Sequence, residues 1–313
     1  MKAIQKAITD FLHHCRHEKK LSDKTLKAYG IDLKQFVAYL KDNHHIIKLK
    51  EIDKKVVSGY LNELYSEAKP KTIKRKVATL RAFFNFIEFE DRIVVSPFRK
   101  MKVDIKQDKA LPHVLTIDEI EELFKYLYEQ RDFLKRTSLF ACKILIRDIA
   151  IFEMLFSTGM RVSEISDLRH EDVDLDHKVI SVNGRGHRER NIPIVSQQAL
   201  SALQNYRSTF HHDLKDKEYF FINKHNRKIS DQSIRILVEK YAAKVGIKRK
   251  ITPHTFRHTV ATLLMESGVD LRYVQYIMGH SSITTTQVYN HPNEDNQRKL
   301  LAELHPRTKV KIG

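Results

Sequence analysis

The chain has no tryptophan, only nine glycines and only two cysteines among its 313 residues. Cys15 and Cys142 have no pair-like spacing and no CxxC occurs, which excludes a disulfide framework and suits a reducing, intracellular setting. No stretch approaches the roughly 18–20 apolar residues that a membrane helix needs. The opening, MKAIQKAITDFLHH, is too polar and too early charged for a secretory signal. Internal repeats and low-complexity tracts are missing as well. A cytoplasmic chain without a membrane partner is expected.

Positive charge is what the sequence has in excess. Lysine and arginine number 56 against 39 acidic residues, a formal charge of +17 with a pI near 9.6. Such a balance suits nucleic acid or another anionic partner; the plainer reading is a basic surface kept for solubility. The excess is uneven. Residues 1–112 carry 25 basic and 14 acidic side chains, net +11, and residues 113–313 carry 31 and 25, net +6. The N-terminal part is the better candidate for a sequence-independent grip on phosphates.

The length suits about two domains. Amphipathic stretches at helical spacing dominate, so the fold class is mainly α with a small β-sheet. Ser22 is an N-cap for a helix carrying Leu26, Tyr29, Leu33, Phe36, Val37 and Leu40. A further helix follows Pro70, and Lys71, Lys74, Arg75, Lys76 and Arg81 lie outside its apolar stripe. That arrangement fits a small bundle laid against DNA, or an ordinary solvated face. Pro97 and Pro112 bracket a polar, lysine-rich stretch. The expected division is a helical domain over 1–96, a linker over 97–113 and a second domain over 114–313. Thr116 caps the first helix of that domain, residues 128–147 continue in helical style, and Gly159 stops the helix ending FSTG. KVISV and RNIPI flank Asn183-Gly184, a hairpin signal. Helices are expected near 196–208, 230–245, 253–267 and 270–278, with two short ones at the end.

The chemistry concentrates in a few stretches. TPHTFRHTVA places His254 and His258 four apart with Arg257 between them. Thr252 suits an N-cap and Pro253 the first helical position, so His254 falls in the first turn, where an anion is favoured. A zinc helix of the zincin kind carries glutamate after its first histidine, and here that residue is Thr255, so phosphate is preferred over metal. His258 shares the face of His254 and so either joins the site or, the preferred reading, is a packed structural histidine. In FSTGMRVSEISDL, Arg161 follows the helix-ending glycine and Glu164 is placed to buttress it; alone, the pair also fits a surface ion pair. In YIMGHSSITTTQVYNHP, Gly279 ends a helix, His280 follows at once, and Tyr289 offers a phenol nucleophile, a type of residue that elsewhere is mostly packing.

Taken together, TGMRVSEISDL, HTFRHTVATLLMESG and MGHSSITTTQVYNH resemble the boxes of the tyrosine recombinase (phage integrase) family. SDKTLKAYGIDLKQFVAYL and TIKRKVATLRAFFNFI resemble the core-binding domain of its smaller, Xer-like members. The resemblance covers almost the entire chain and its motifs are highly specific. It implies a SAM-like core-binding bundle followed by a catalytic domain, acting on double-stranded DNA. Tyr289 would attack a phosphodiester, leaving a 3′-phosphotyrosyl link and a free 5′-hydroxyl, with no ATP, metal or other cofactor. Arg161 and Arg257 would hold the non-bridging oxygens, where arginine's fork is better suited than lysine. His254 would move a proton and His280 would bond the phosphate. Lys71, Lys74, Arg75 and Arg188 would contact DNA. The chain's length implies no extra arm-binding domain, hence short inverted-repeat sites. The free monomer or dimer would form a homotetramer on DNA, with an accessory protein or second recombinase as a further partner.

One position departs from the family. Its hairpin turn carries a general-acid lysine, whereas here the turn reads NGRGHRER and the matching residue is Arg185. A guanidinium yields a proton poorly, and general acid catalysis contributes about 10²–10⁴-fold. Arg185 stabilises the leaving oxygen while water delivers the proton, or Arg188 or Lys178 takes the place, or the chain is slow or regulated. The first of these is preferred, and a bare phosphate contact by Arg185 is the non-catalytic alternative. Two rival functions share these residues: a type IB topoisomerase and a weakly catalytic DNA-binding protein. Leu300, Leu301 and Leu304 form an apolar stripe that docks on a neighbouring subunit or packs on its own chain.

Overall fold

The periodicities of the first ninety residues become four helices: α1 (Lys2–His17), α2 (Asp23–His44), α3 (Lys54–Glu67) and α4 (Pro70–Phe89). The computed structural model describes residues 2–44, 46, 48–105, 113–183, 189–279 and 294–310. It divides into two compact units, Met1–Ala110 and Leu111–Gly313. Helix starts in the first unit are set locally. Ser22 Oγ accepts the Thr25 amide at 3.4 Å, Asp53 accepts that of Val56 at 2.9 Å, and Pro70 opens α4. All four helices bury one aromatic-rich face. Phe11, Phe36, Phe83 and Phe84 share the core, and each such ring contributes roughly 1.5–3 kcal/mol by leaving water. Within the stretch read as a linker, Phe98 is buried, and Met101, Val103 and Ile105 pack on the same core.

A polar knot crosses this core and corrects one expectation. Asp32 is 1% exposed and accepts from Arg75 and, at 2.9 Å, from Thr79. Lys76 is buried, donating to Gln35 and Tyr60, and burial lowers its pKa against the pull of Asp32. Lys71, Lys74, Arg75 and Arg81 are exposed on α4, but Lys76 is not part of that face. A helical wheel places Lys76 at the margin of the stripe. Two neighbouring helices, α2 and α3, decide the matter by offering it partners.

The second unit is organised around one helix buried on all sides. Thr116 and Glu119 form a capping box at the start of α5 (Ile117–Thr137). The helical style of 128–147 does not run unbroken. Ser138 takes an extended backbone, and its hydroxyl caps α6 (Leu139–Thr158) by accepting the Ala141 amide at 3.3 Å. From Leu145 to Thr158 nearly every α6 side chain is buried, as a helix in the centre of a larger core must be. After α7 (Val162–Asp167), β1 (Val173–Asp174), β2 (Val179–Asn183) and β3 (Glu189–Pro193) form an antiparallel sheet in the order β1-β2-β3. The register pairs Ile180 with Ile192 and Asn183 with Glu189, so Ile180, Val182, Arg190 and Ile192 face inward.

Helices α8 (Gln197–Thr209), the single turn α9 (His211–Leu214), α10 (Asp231–Lys244), α11 (Pro253–Glu266) and α12 (Leu271–Met278) complete the core. The segment α13 (Glu294–Leu304) and α14 (Pro306–Lys309) closes on this same unit. Leu301 is buried there and Leu304 packs against it, whereas Leu300 is exposed. Of the two arrangements left open by the leucine spacing, the single chain adopts the one in cis. Among the described residues no helix is long and apolar enough to cross a membrane.

Candidate active site

Three arginines from three separate segments converge on the C-terminal end of α12. Arg190 Nε donates to the carbonyl of Ile277 at 2.8 Å, Arg257 Nη2 to that of Met278, and Arg161 Nη2 to that of Gly279. A helix leaves its last carbonyls unpaired and concentrates negative potential there, so three cations in succession are held by both geometry and charge. The local sequence explains how each arrives. Gly159 takes a left-handed φ of 59°, ends α6 and turns the chain so that Arg161 becomes the residue capping α7. Thr252 caps α11 by accepting the Thr255 amide at 3.3 Å and Pro253 sits in its first turn, which sets Arg257 facing inward. Gly279 has a φ of 61°, and a Cβ there would meet Arg190 Cζ at 2.9 Å, so glycine is required twice over.

Glu164 ties Arg161 and Arg190 together. Its carboxylate accepts the Arg161 amide at 2.8 Å and Arg161 Nη1 at 2.9 Å, and takes Arg190 Nη1 and Nη2 at 3.1 and 2.8 Å. Burial opposes its ionisation, but the hydrogen bonds from Arg190 and Arg161 prevail and hold its pKa below the usual range. Arg257 is 6% exposed and also donates to the Gly159 carbonyl at 2.8 Å. Burial, and then the charge of Arg161, lower its pKa to about 10, with Arg190 adding to the repulsion and Glu164 opposing it. It stays protonated at neutral pH. Two guanidinium groups thus share the Glu164 carboxylate, Arg257 beside them feels its charge while bonding only backbone carbonyls, and Arg161 keeps 41% of its side chain exposed. The arrangement is suited to receiving an anion with several oxygens.

A profile of the phage integrase family matches residues 101–296, and that of the phage integrase N-terminal SAM-like domain matches residues 8–90. The chain belongs to the phage integrase family. It is 36% identical to a tyrosine recombinase of Agathobacter rectalis over 98% of each chain. Its identity to tyrosine recombinase XerC of Thermodesulfovibrio yellowstonii is also 36%, over 96% of this chain and 97% of that one. The solved XerH site-specific recombinase, bound to a palindromic difH substrate, superposes with a TM-score of 0.69 over 96% of this chain and 83% of that one. At 20% identity it speaks for the fold. This integrase-family chain is a tyrosine-type site-specific recombinase, an enzyme that cleaves and rejoins DNA.

Within the recombinase, the structure brings Arg161, Glu164 and Arg257 together as the sequence suggested. His254 is exposed in the first turn of α11, and His258 is partly buried on the same helix. Arg185, Arg188, His280 and Tyr289 lie outside the described residues. Lys178, one of the open substitutes for the family's lysine, precedes β2, at the opposite end from Asn183 and about 17 Å away along the strand. That position removes it from the hairpin turn. Arg190 was missed by the sequence reading. Its signal was a charged residue at an inward-facing position of a strand, which demands a buried partner.

Proposed function

We propose that the recombinase holds the scissile phosphate of duplex DNA between Arg161 and Arg257 while Tyr289 attacks phosphorus. The new Tyr289 Oη–P bond replaces the P–O5′ bond, giving a 3′-phosphotyrosyl link and a free 5′-hydroxyl. His254 accepts the phenol proton, His280 bonds a phosphate oxygen, and Arg185 steadies the departing O5′ while water protonates it. Return attack by the 5′-hydroxyl of another strand completes exchange, and the bond energy is conserved throughout. The observation that supports this reading is the unbalanced cluster of three arginines around the carboxylate of Glu164, two of them bonded to it, fastened to the residues just before His280.

The remaining assignments follow from the same reading. Residues 1–96 grip DNA through Lys71, Lys74 and Arg75, residues 97–113 link, and residues 114–313 catalyse, with Arg188 on a phosphate. The target is a short inverted repeat, bound by a homotetramer in the cytoplasm, with an accessory protein or second recombinase as a further partner. The test uses sheared genomic DNA, EDTA and an SDS stop, with Tyr289→Phe as control. Covalently held fragments sharing one short imperfect palindrome support the reading, and strand exchange between two such duplexes separates it from topoisomerase action. DNA that binds without covalent attachment overturns it.

A further inference from the structure

Arg190 has no part in the steps just described, yet it is 5% exposed and makes three hydrogen bonds to two different elements. Two go to Glu164 on α7 and one to the carbonyl of Ile277 on α12. Glu164 is also the partner of Arg161 through a backbone and a side-chain contact. One largely buried carboxylate therefore stands between two guanidinium groups. If it faced Arg161 alone, its charge would cancel the positive charge that a phosphate needs, at close range and in a poorly solvated place. Arg190 prevents that by taking both carboxylate oxygens in a fork that lysine cannot reproduce. The Gly279 turn closes directly over the Arg190 guanidinium, leaving it little room to move.

We infer that Arg190 is a positioning residue for strand cleavage: it takes up the charge of Glu164, so that Glu164 orients Arg161 without neutralising it, and pins the end of α12 ahead of His280. This rests on Arg161 being a phosphate-holding arginine. The test compares full-length Arg190→Met, Arg190→Lys, Glu164→Gln and Arg190→Met/Glu164→Gln with the unaltered chain. One readout is the rate of covalent attachment to a duplex carrying the captured site. The other is the rise in unfolding temperature given by inorganic sulfate over chloride at equal ionic strength.

Arg190→Met is expected to slow attachment about 100-fold and abolish the sulfate response, and adding Glu164→Gln to recover about tenfold of the rate, because the stranded carboxylate is gone. The double variant should also regain the sulfate response. Arg190→Lys falls between, and if Arg190→Met does not fold, Arg190→Lys with and without Glu164→Gln carries the same comparison. A merely structural Arg190 would show no rescue, since a second substitution in a damaged core adds to the damage. A double variant no faster than the single one, or a single variant within about threefold of the unaltered chain, overturns the assignment. A sulfate pattern as expected with no covalent attachment by the unaltered chain sinks the nucleophile reading, and with it the part in cleavage, and leaves standing that Arg190 keeps Glu164 from neutralising Arg161.

Discussion

Against α6, Arg307 of α14 meets Glu153 one to one, with both side chains fully buried. Nε and Nη2 donate to the two carboxylate oxygens at 2.7 Å each, and Tyr128 adds a third donor at 2.9 Å. At the end of α12, Arg161 and Arg190 share the carboxylate of Glu164, and Arg257 adds a third positive charge beside them. The side-chain types are the same, but the stoichiometry and the exposure differ, Arg161 keeping 41% of its side chain open and Arg307 none. A balanced pair satisfies itself and fastens the C-terminal segment to the unit's own core. An unbalanced set retains positive charge, which burial and mutual repulsion make costly until an anion arrives. The lowered pKa of Arg257 is the mark of that cost.

The largest expected effect comes from breaking the balanced cluster on one side. Arg307→Ala strands Glu153 in the core and should remove about 3–5 kcal/mol of stability from the C-terminal unit in urea unfolding. Replacing both partners with Arg307→Met/Glu153→Leu should lose much less, because no charge is left buried alone.

Acid sharpens the same contrast. Burial, foremost, and the charge of Arg307 lower the pKa of His305 to about 4, against a hydrogen bond that the imidazole gives to the Ser157 backbone. The unfolded chain therefore binds a proton in the window above 4 and below the ordinary histidine range, where the folded chain does not. Stability from this group is full at neutral pH and declines as pH falls, by on the order of 3 kcal/mol near pH 4. Unfolding measured across that range should show the decline, and His305→Asn should flatten it.

Substituting at the unbalanced cluster should hurt chemistry more than stability. Gly279→Ala forces a left-handed backbone on an L-residue and pushes on Arg190, at a cost of about 1–3 kcal/mol. The covalent yield on the captured site should fall far more steeply than that loss alone would cause. The smallest effect is a control outside both clusters. Thr116→Ala removes a cap of α5, should cost about 1 kcal/mol, and should leave covalent attachment unchanged.

What was legible in the sequence was mostly what local chemistry decides. Ser22, Thr116 and Thr252 cap where their side chains reach the next turn, and Gly159 and Gly279 stop helices by taking a left-handed backbone. Arg161 and Arg257 were readable because their surrounding boxes resemble a known family. The partners of Arg190, Lys76 and Arg307 lie on elements far away in the chain. Periodicity could show only that a charge sat in an apolar phase, not which group would answer it. The break at Ser138 was a local signal, a serine before a helical run, concealed by helix formers on both sides.

The most direct measurement is to digest the covalent protein–DNA complex with protease and identify the peptide that carries the nucleotide, in the unaltered chain and in Arg161→Ala and Arg257→Ala. The expected result is a single adduct on Tyr289 whose yield drops by about 10²–10³-fold in each folded arginine variant. An adduct on another residue, or one formed undiminished without these arginines, would contradict the claim that Arg161 and Arg257 hold the phosphate for attack by Tyr289.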